Sequence, residues 1–332
     1  MNKNAVGIDI GGTNVKIGLV SREGEVIEFS EFPTPKSPPD VAVSLIADET
    51  RTVLKIAESD FGSIAGIGIG FPGAIRQPEG IVEAAPNLKG WGGIFLRKLF
   101  REAFDRDILI DNDANIAALA EYVWGAGKGQ SPLVLFTLGT GVGGGIVIDG
   151  KIYRGAWGGA AEIGHQTIDM DGRLCNCGNR GCLEAIVGSR GVASRAWELL
   201  DNDKGSILWE MMGSNFDTLD ARLVGSAAKE GDPTALKVAS ETARAIGVAV
   251  ANMINILNPR CVLFAGGMTE WGEEILLKPL INEAKRRAFK AHFNSCRITF
   301  AQSGLKAGIL GGAALAFSES GDMSLSDENT HR

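Results

Sequence analysis

The stretch from Glu162 to Glu184 reads EIGHQTIDMDGRLCNCGNRGCLE and gathers one histidine, three cysteines and two glutamates into a single Gly-bearing loop. His165, Cys175, Cys177 and Cys182 supply one nitrogen and three sulfurs, the donor set of a closed tetrahedral zinc site. The competing reading is thiols that lie close without a metal. The chain has only five cysteines and three histidines, and Cys-x-Cys-x4-Cys is tighter than the usual finger spacing, so the clustering points to a metal. Four protein ligands leave no open position for a catalytic water, so the ion is expected to be structural. Glu162 and Glu184 bracket the ligands. A metal that stiffens this loop therefore aims two carboxylates, groups suited to accepting hydrogen bonds from a polyhydroxylated ligand.

Three Gly-rich turns follow apolar strands: Gly11-Gly12-Thr13, Gly139-Thr140-Gly141 and Gly266-Gly267. Each offers backbone N–H groups to phosphate oxygens, and two add a threonine hydroxyl. None fits G-x-x-x-x-G-K-[ST]. The segment GTGVGGG resembles a dinucleotide fingerprint, but Ile146–Ile148 continues it as strand rather than helix. A tight turn with no ligand is the plainer alternative for each alone; three together with Asp9 favour a nucleotide-phosphate cradle. Asp9 is placed to hold Mg²⁺ beside the phosphates, directly or through water.

Asp111-Asn112-Asp113-Ala114-Asn115 ends a strand and opens a helix. Asp and Asn are favoured helix N-caps, which is one reading. The other is chemical: Asp113 takes the proton of an attacking alcohol while Asn112 bonds neighbouring hydroxyls. Asn87, in Pro86-Asn87-Leu88-Lys89-Gly90-Trp91, is a further hydroxyl-binding candidate or simply a turn residue.

Several elements must hold these groups. Ala5–Ile10, Val15–Val20 and Val26–Phe29 read as a β-meander around the first Gly turn. Val41–Glu58 has helical periodicity. Ile64–Gly70 reads as a buried strand, Phe95–Phe104 as a helix, Ile108–Asp111 as a strand and Ala114–Trp124 as a helix. Leu133–Leu138 and Gly144–Ile148 form a hairpin split by the second Gly turn. DIGGTNVKIGLV and TLGTGVGGGIVI thus repeat one plan of strand, Gly/Thr turn, strand, and the echo predicts two domains of similar topology facing a cleft. Beyond the cysteine loop the pattern turns helical. Asp232-Pro233 opens a long helix through Ile256, followed by a strand at Arg260–Ala265, a helix at Glu273–Phe289, a strand at Arg297–Phe300 and a last helix at Lys306–Phe317. The polar end of the chain, Ser318 to Arg332, reads as disordered.

At 332 residues, 45% hydrophobic and 22% charged, the chain suits an ordinary two-domain globular protein. A net charge of −7 argues against a general nucleic-acid binder. No signal peptide or membrane span is legible, and Cys261 and Cys296 stand alone, so a reducing cytoplasm is expected.

DIGGT at Asp9–Thr13, the Asn112-Asp113 pair, Glu-x-Gly-His at Glu162–His165 and Cys-x-Cys-Gly-x-x-Gly-Cys-x-Glu at Cys175–Glu184 together resemble the ROK family of bacterial sugar kinases and repressors, over nearly the whole chain. DIGGT is shared with the wider actin-like and hexokinase-like ATPases; the cysteine pattern is far more specific. The closest resemblance is to the family's ATP-dependent glucokinases. It implies an α/β chain of two ribonuclease-H-like domains around a cleft, drawn at 1–112 plus 305–320 and at 113–304, with a flexible tail at 321–332. It implies Asp113 as catalytic base and Asn87, Asn112, Asp113, Glu162, His165 and Glu184 as sugar contacts, His165 also ligating zinc. ATP would lie on Asp9, Gly11, Gly12, Thr13, Thr140, Gly141, Gly266 and Gly267, with Mg²⁺. The expected reaction is transfer of the ATP γ-phosphoryl to the 6-hydroxyl of a hexose, with a homodimer or higher homo-oligomer as the assembly.

Asn87-Leu-x-Gly-Trp91 favours glucose over N-acetylmannosamine, fructose or allose. A polyphosphate donor is disfavoured, because the cysteine loop is usually missing from such relatives. A DNA-binding repressor is disfavoured, because the first strand begins near residue 5 and leaves no room for a helix-turn-helix. A sugar-binding protein without turnover is the remaining rival, and Asp113 argues against it.

Overall fold

The computed structural model describes residues 3–85, 88–213 and 215–319; Asn87 and the expected tail at 321–332 lie outside them. The strands are β1 (Ala5–Ile10), β2 (Asn14–Val20), β3 (Val26–Pro33), β4 (Ile67–Phe71), β5 (Ala74–Arg76), β6 (Ile81–Ala84), β7 (Leu109–Asn112), β8 (Leu133–Leu138), β9 (Val142–Ile148), β10 (Lys151–Ile152), β11 (Cys261–Ala265) and β12 (Arg297–Phe300). The α-helices are α1 (Pro39–Ile56), α2 (Leu96–Phe104), α3 (Asp113–Val123), α4 (Leu183–Val187), α5 (Ser189–Leu200), α6 (Leu208–Met212), α7 (Ala221–Lys229), α8 (Pro233–Leu257), α9 (Lys278–Arg287), α10 (Lys290–Asn294) and α11 (Ala307–Glu319).

The fold is α/β with two mixed five-stranded sheets, ordered β3-β2-β1-β4-β7 and β10-β9-β8-β11-β12, plus the two-stranded hairpin β5-β6. In the first sheet β1 pairs antiparallel with β2 and parallel with β4, which pairs parallel with β7. In the second, β8 pairs parallel with β11 and β11 with β12. The echo read from sequence is therefore an echo of topology: a meander, then two parallel strands added beyond its first member. β4 is apolar along its length, and β1 is apolar but for Asp9, because both faces of these central strands are covered.

By packing, the chain divides into two compact units: Met1–Ser131, Gly145–Ala161 and Ala301–Arg332 over their described residues, and Pro132–Gly144 with Glu162–Phe300. From sequence the second domain starts at 113 and ends at 304. Packing instead keeps α3 with the first unit, because that helix lies along α11. α3 is buried from Ala114 to Val123, which explains its Ala-rich sequence, apolar but for Asn115 and Glu121. Gly145 belongs to the same contact, since a Cβ there would come within 2.6 Å of Ala114 O.

α11 closes over the first sheet at backbone distance. A Cβ on Gly7 would stand 1.8 Å from Ile309 O, and one on Gly68 2.0 Å from Gly312 O. On the other side α1 buries Ala42, Val43, Ile46, Val53 and Leu54, one stripe at helical spacing, in a core shared with Ile8, Ile17, Ile69, Phe71 and Phe100.

Several expected boundaries move. β3 runs on to Pro33, and β4 begins at Ile67 rather than Ile64, where the Ser63–Gly66 turns intervene. The helix expected over Glu273–Phe289 starts as a π-helical turn, Glu273–Leu277, and Pro279 sits in the first turn of α9, where a missing N–H costs least. Ser318 is the penultimate residue of α11, its hydroxyl donating to Leu315 O at 2.8 Å.

Candidate functional site

In both sheets the residues singled out by sequence stand at the carboxyl ends of parallel strands, where open α/β sheets bind ligands. In the first unit, β1 delivers Asp9 and the Gly11-Gly12-Thr13 turn, while β7 delivers Asn112 and Asp113. Register sets Asp9 beside Gly70 and Gly70 beside Asp111. The Gly turn is braced from behind: Gly11 N donates to Asn14 O at 2.9 Å, and the Thr34 hydroxyl donates to Gly11 O at 2.6 Å. Gly12 and Thr13 stay exposed.

Asp9 rests against α11, where only a glycine fits; a Cβ on Gly308 would stand 2.2 Å from the Asp9 carboxyl carbon. Burial raises the Asp9 pKa, with Lys16 opposing and Glu31 adding to the rise.

Asp113 is the first residue of α3, and its Oδ1 accepts from Ala114 N at 2.9 Å. Surrounding protein first, then the neighbouring Asp9 charge, push its pKa up to about 6, against hydrogen bonds from Ala114 N–H and Asn112. Its side chain nevertheless keeps a face to solvent, and water moderates that rise. Asn112 is the N-cap of α3, Oδ1 accepting from Ala114 N at 2.9 Å and Asn115 N at 3.3 Å, while Nδ2 donates to Gly73 O at 3.1 Å. The plain capping role is thus realised in Asn112, beside whatever else it binds.

In the second unit the neighbouring parallel strands β8 and β11 end in the other two Gly turns. Gly266 has φ 94° and would drive a Cβ to 2.3 Å from Leu138 O, so glycine is required there. Gly139 and Gly267 face open space where a Cβ would stand. The structure ties the Gly139-Thr140-Gly141 turn to Glu184: Val142 N donates to Glu184 Oε2 at 2.9 Å.

The cysteine loop brings its four expected ligands together. One donor atom from each of His165, Cys175, Cys177 and Cys182 lies within 4.8 Å of all the others. Cys177 Sγ is 3.7 Å from Cys182 Sγ, and Cys175 Sγ is 3.7 Å from His165 Nδ1. A tetrahedral zinc with bonds near 2.3 Å needs edges of about 3.8 Å. That separation also excludes a disulfide, and no cysteine forms one. Burial above all pushes the Cys182 thiol up to about 12, whereas the Asn179 backbone N–H lowers that of Cys177. Three crowded thiols become thiolates together when a cation compensates them. His165 turns its other nitrogen, Nε2, toward Glu162 Oε2 at 4.0 Å.

Sequence reasoning overlooked Arg154, whose Nε donates to Asp111 Oδ2 at 2.6 Å, and Gln77, whose amide donates to Ile110 O at 2.6 Å. Neither lies in a motif, and no spacing in the sequence marked either one.

The fold and these motifs define a member of the ROK family: the family's model matches residues 5–319, and the chain belongs to it, with the family's α/β sugar-kinase fold. A glucokinase of Halalkalibacterium halodurans is 37% identical over 97% of this chain and 98% of its own length. A xylose repressor of Caldicellulosiruptor bescii is 36% identical over 95% of this chain and 78% of its own. Among solved structures, a ROK glucokinase from Streptomyces griseus in complex with glucose and AMPPNP is 31% identical, with a TM-score of 0.79 over 95% of this chain and 99% of that one. No helix among the described residues is long and apolar enough to cross a membrane.

Proposed function

We propose that this protein is an ATP-dependent hexose kinase that phosphorylates the 6-hydroxyl of glucose. The observation that carries the reading is Asp113: a carboxylate at a helix start, raised toward neutrality, beside a second carboxylate and a Gly-Gly-Thr turn. It is supported by likeness to a glucokinase that binds glucose and an ATP analogue. We assign both units the ribonuclease-H-like plan, which their matching strand orders support.

Asn112, Glu162, His165 and Glu184 hold the sugar hydroxyls; Asn87, outside the described residues, completes the set. Asp113 accepts the 6-hydroxyl proton as the phosphoryl bond forms, late in a loose transition state. Backbone N–H groups of Gly11, Gly12, Gly141 and Gly267, with the Thr13 and Thr140 hydroxyls, take the phosphate oxygens. Asp9 and Gly266 complete that cradle. Mg²⁺ held near Asp9 would neutralise phosphate charge. Zinc on His165, Cys175, Cys177 and Cys182 would stiffen the loop that ends in Glu184 and fix the tautomer of His165.

The test is ADP release with MgATP over glucose, mannose, N-acetylmannosamine, N-acetylglucosamine, fructose and allose, with xylose binding in parallel. Selective turnover of glucose is expected; selective turnover of another hexose keeps the mechanism and moves the substrate. The likeness to a xylose repressor supplies the second reading, a sugar-responsive regulator. Sugar binding with no turnover on any member of the panel would establish that reading instead.

A further inference from the structure

Asp111 is a fully buried acid of the first unit that has no role in the chemistry above. It is 2% exposed, and its carboxylate takes three donors. Oδ1 accepts from the backbone N of Asn112 at 2.8 Å and from Asn115 Nδ2 at 2.9 Å; Oδ2 accepts from Arg154 Nε at 2.6 Å. Two of these donors belong to the β7–α3 corner that carries Asn112 and Asp113. The third comes from a residue more than forty positions later in the chain.

Arg154 opens the loop Arg154-Gly-Ala-Trp-Gly-Gly-Ala-Ala161, whose next residue is Glu162. Its carbonyl accepts from Gly158 N at 3.1 Å and Ala160 N at 3.2 Å, so the loop is wound on the residue that grips Asp111. A second stitch runs beside the first. Gln77 N donates to Trp157 O at 2.7 Å, and the Gln77 side chain reaches Ile110 O, the residue before Asp111. The loop fits closely under this stitch, because a Cβ on Gly158 would stand 2.1 Å from Ile75 O.

We infer that Arg154 is a positioning residue for the phosphoryl transfer: through Asp111 it fixes the corner that aims Asp113, and through its own carbonyl it fixes the loop leading to Glu162. The inference rests on the hexose-kinase reading. A buried carboxylate shared between a corner and a loop has one low-energy arrangement, since freeing either partner leaves charge unpaired in a dry site. Guanidinium geometry is part of the device. Lysine keeps the charge but cannot place a planar N–H donor where Nε stands.

The test is Arg154→Ala, with Arg154→Lys as the second variant should the first not fold. Misplacement of a base by an ångström costs about a hundredfold, so kcat is expected to fall by that order and hexose KM to rise about tenfold, with MgATP KM within about twofold of the parent. Added guanidinium chloride at non-denaturing concentration is expected to restore part of kcat in Arg154→Ala, and ammonium is not. Hydrogen exchange at the Gly158 and Ala160 amides is expected to quicken more than at amides elsewhere in the first unit, with the melting temperature lowered by the unpaired Asp111 and the variant still folded at the assay temperature. Unchanged kcat and KM would overturn the inference. So would an activity loss that tracks global unfolding and ignores guanidinium. The parent enzyme separates the two readings: no turnover of any hexose by the parent refutes the kinase, and the amide exchange still tests the tie.

Discussion

The proposed base, Asp113, has surroundings that disfavour its working form. Burial and Asp9 raise its pKa toward about 6, so kcat/KM for the hexose is expected to fall on an acid limb between the ordinary carboxylate range and that value. Asp113→Asn is expected to lower turnover by roughly 10²–10⁴-fold while sugar still binds. An unaltered rate would remove Asp113 from that role. The same shift carries a stability sign. A carboxyl whose folded pKa is raised stabilises the fold fully below its unfolded pKa, near 4, and that contribution is lost as pH rises through the folded value. Asp113→Asn is therefore expected to melt higher than the parent at pH 7 and to match it below about pH 4. At this scale the sequence was most legible where residue type decides chemistry: four donors that fold into one cluster, and an acid at a strand-to-helix corner. It was silent on Arg154, because an arginine becomes meaningful only once folding sets it on a distant carboxylate.

The cysteine loop has almost no regular structure, holding one short 3₁₀ turn before α4. Backbone hydrogen bonds such as Cys175 N to Asn179 O and Gly181 N to Arg173 O stitch it, and its four clustered donors fit a metal as a further tie. Cys177→Ser is expected to weaken zinc binding by more than about a hundredfold, since losing even an outer partner of a metal ligand costs roughly 10–100-fold. Hexose affinity and melting temperature are expected to fall with it; retained zinc with normal activity would refute the scaffold role. Elsewhere the elements obey ordinary patterning, which is why α1, α3, α8 and most strands were legible to within a few residues. The hairpin β5-β6 was not, because Ala74–Arg76 and Ile81–Ala84 are too short for a period-two pattern to emerge. The abundance of glycine was legible, and its reason was not. Gly7, Gly68 and Gly312 serve helix-to-sheet approach rather than ligand turns. Gly68→Ala is expected to destabilise the protein by about 1–3 kcal/mol by lifting α11, measured by denaturant titration. No change would mean that the helix moves aside at little cost.

At the scale of the molecule, the doubled strand plan was visible from two short echoing segments, yet the boundary between units was not. Sequence order suggests a cut between Asn112 and Asp113, whereas packing follows α3, whose Ala-rich faces admit α11 closely. Each unit is assembled from separated stretches of chain, so a fragment ending at residue 300 is expected to leave β1 and β4 without amide protection. Protection equal to that of the full chain would show that the first sheet stands without its last helix.

That last helix also sets a schedule. β1 to β4 leave the ribosome well before α11, and the glycine-lined face they present at Gly7 and Gly68 meets its cover only after residue 319 has been synthesised. At roughly 5–20 residues per second, the interval between residues 71 and 319 lasts roughly 12–50 s. Throughout that interval the first sheet is an open, apolar surface in the cell, and a stalled or truncated translation product would expose it permanently.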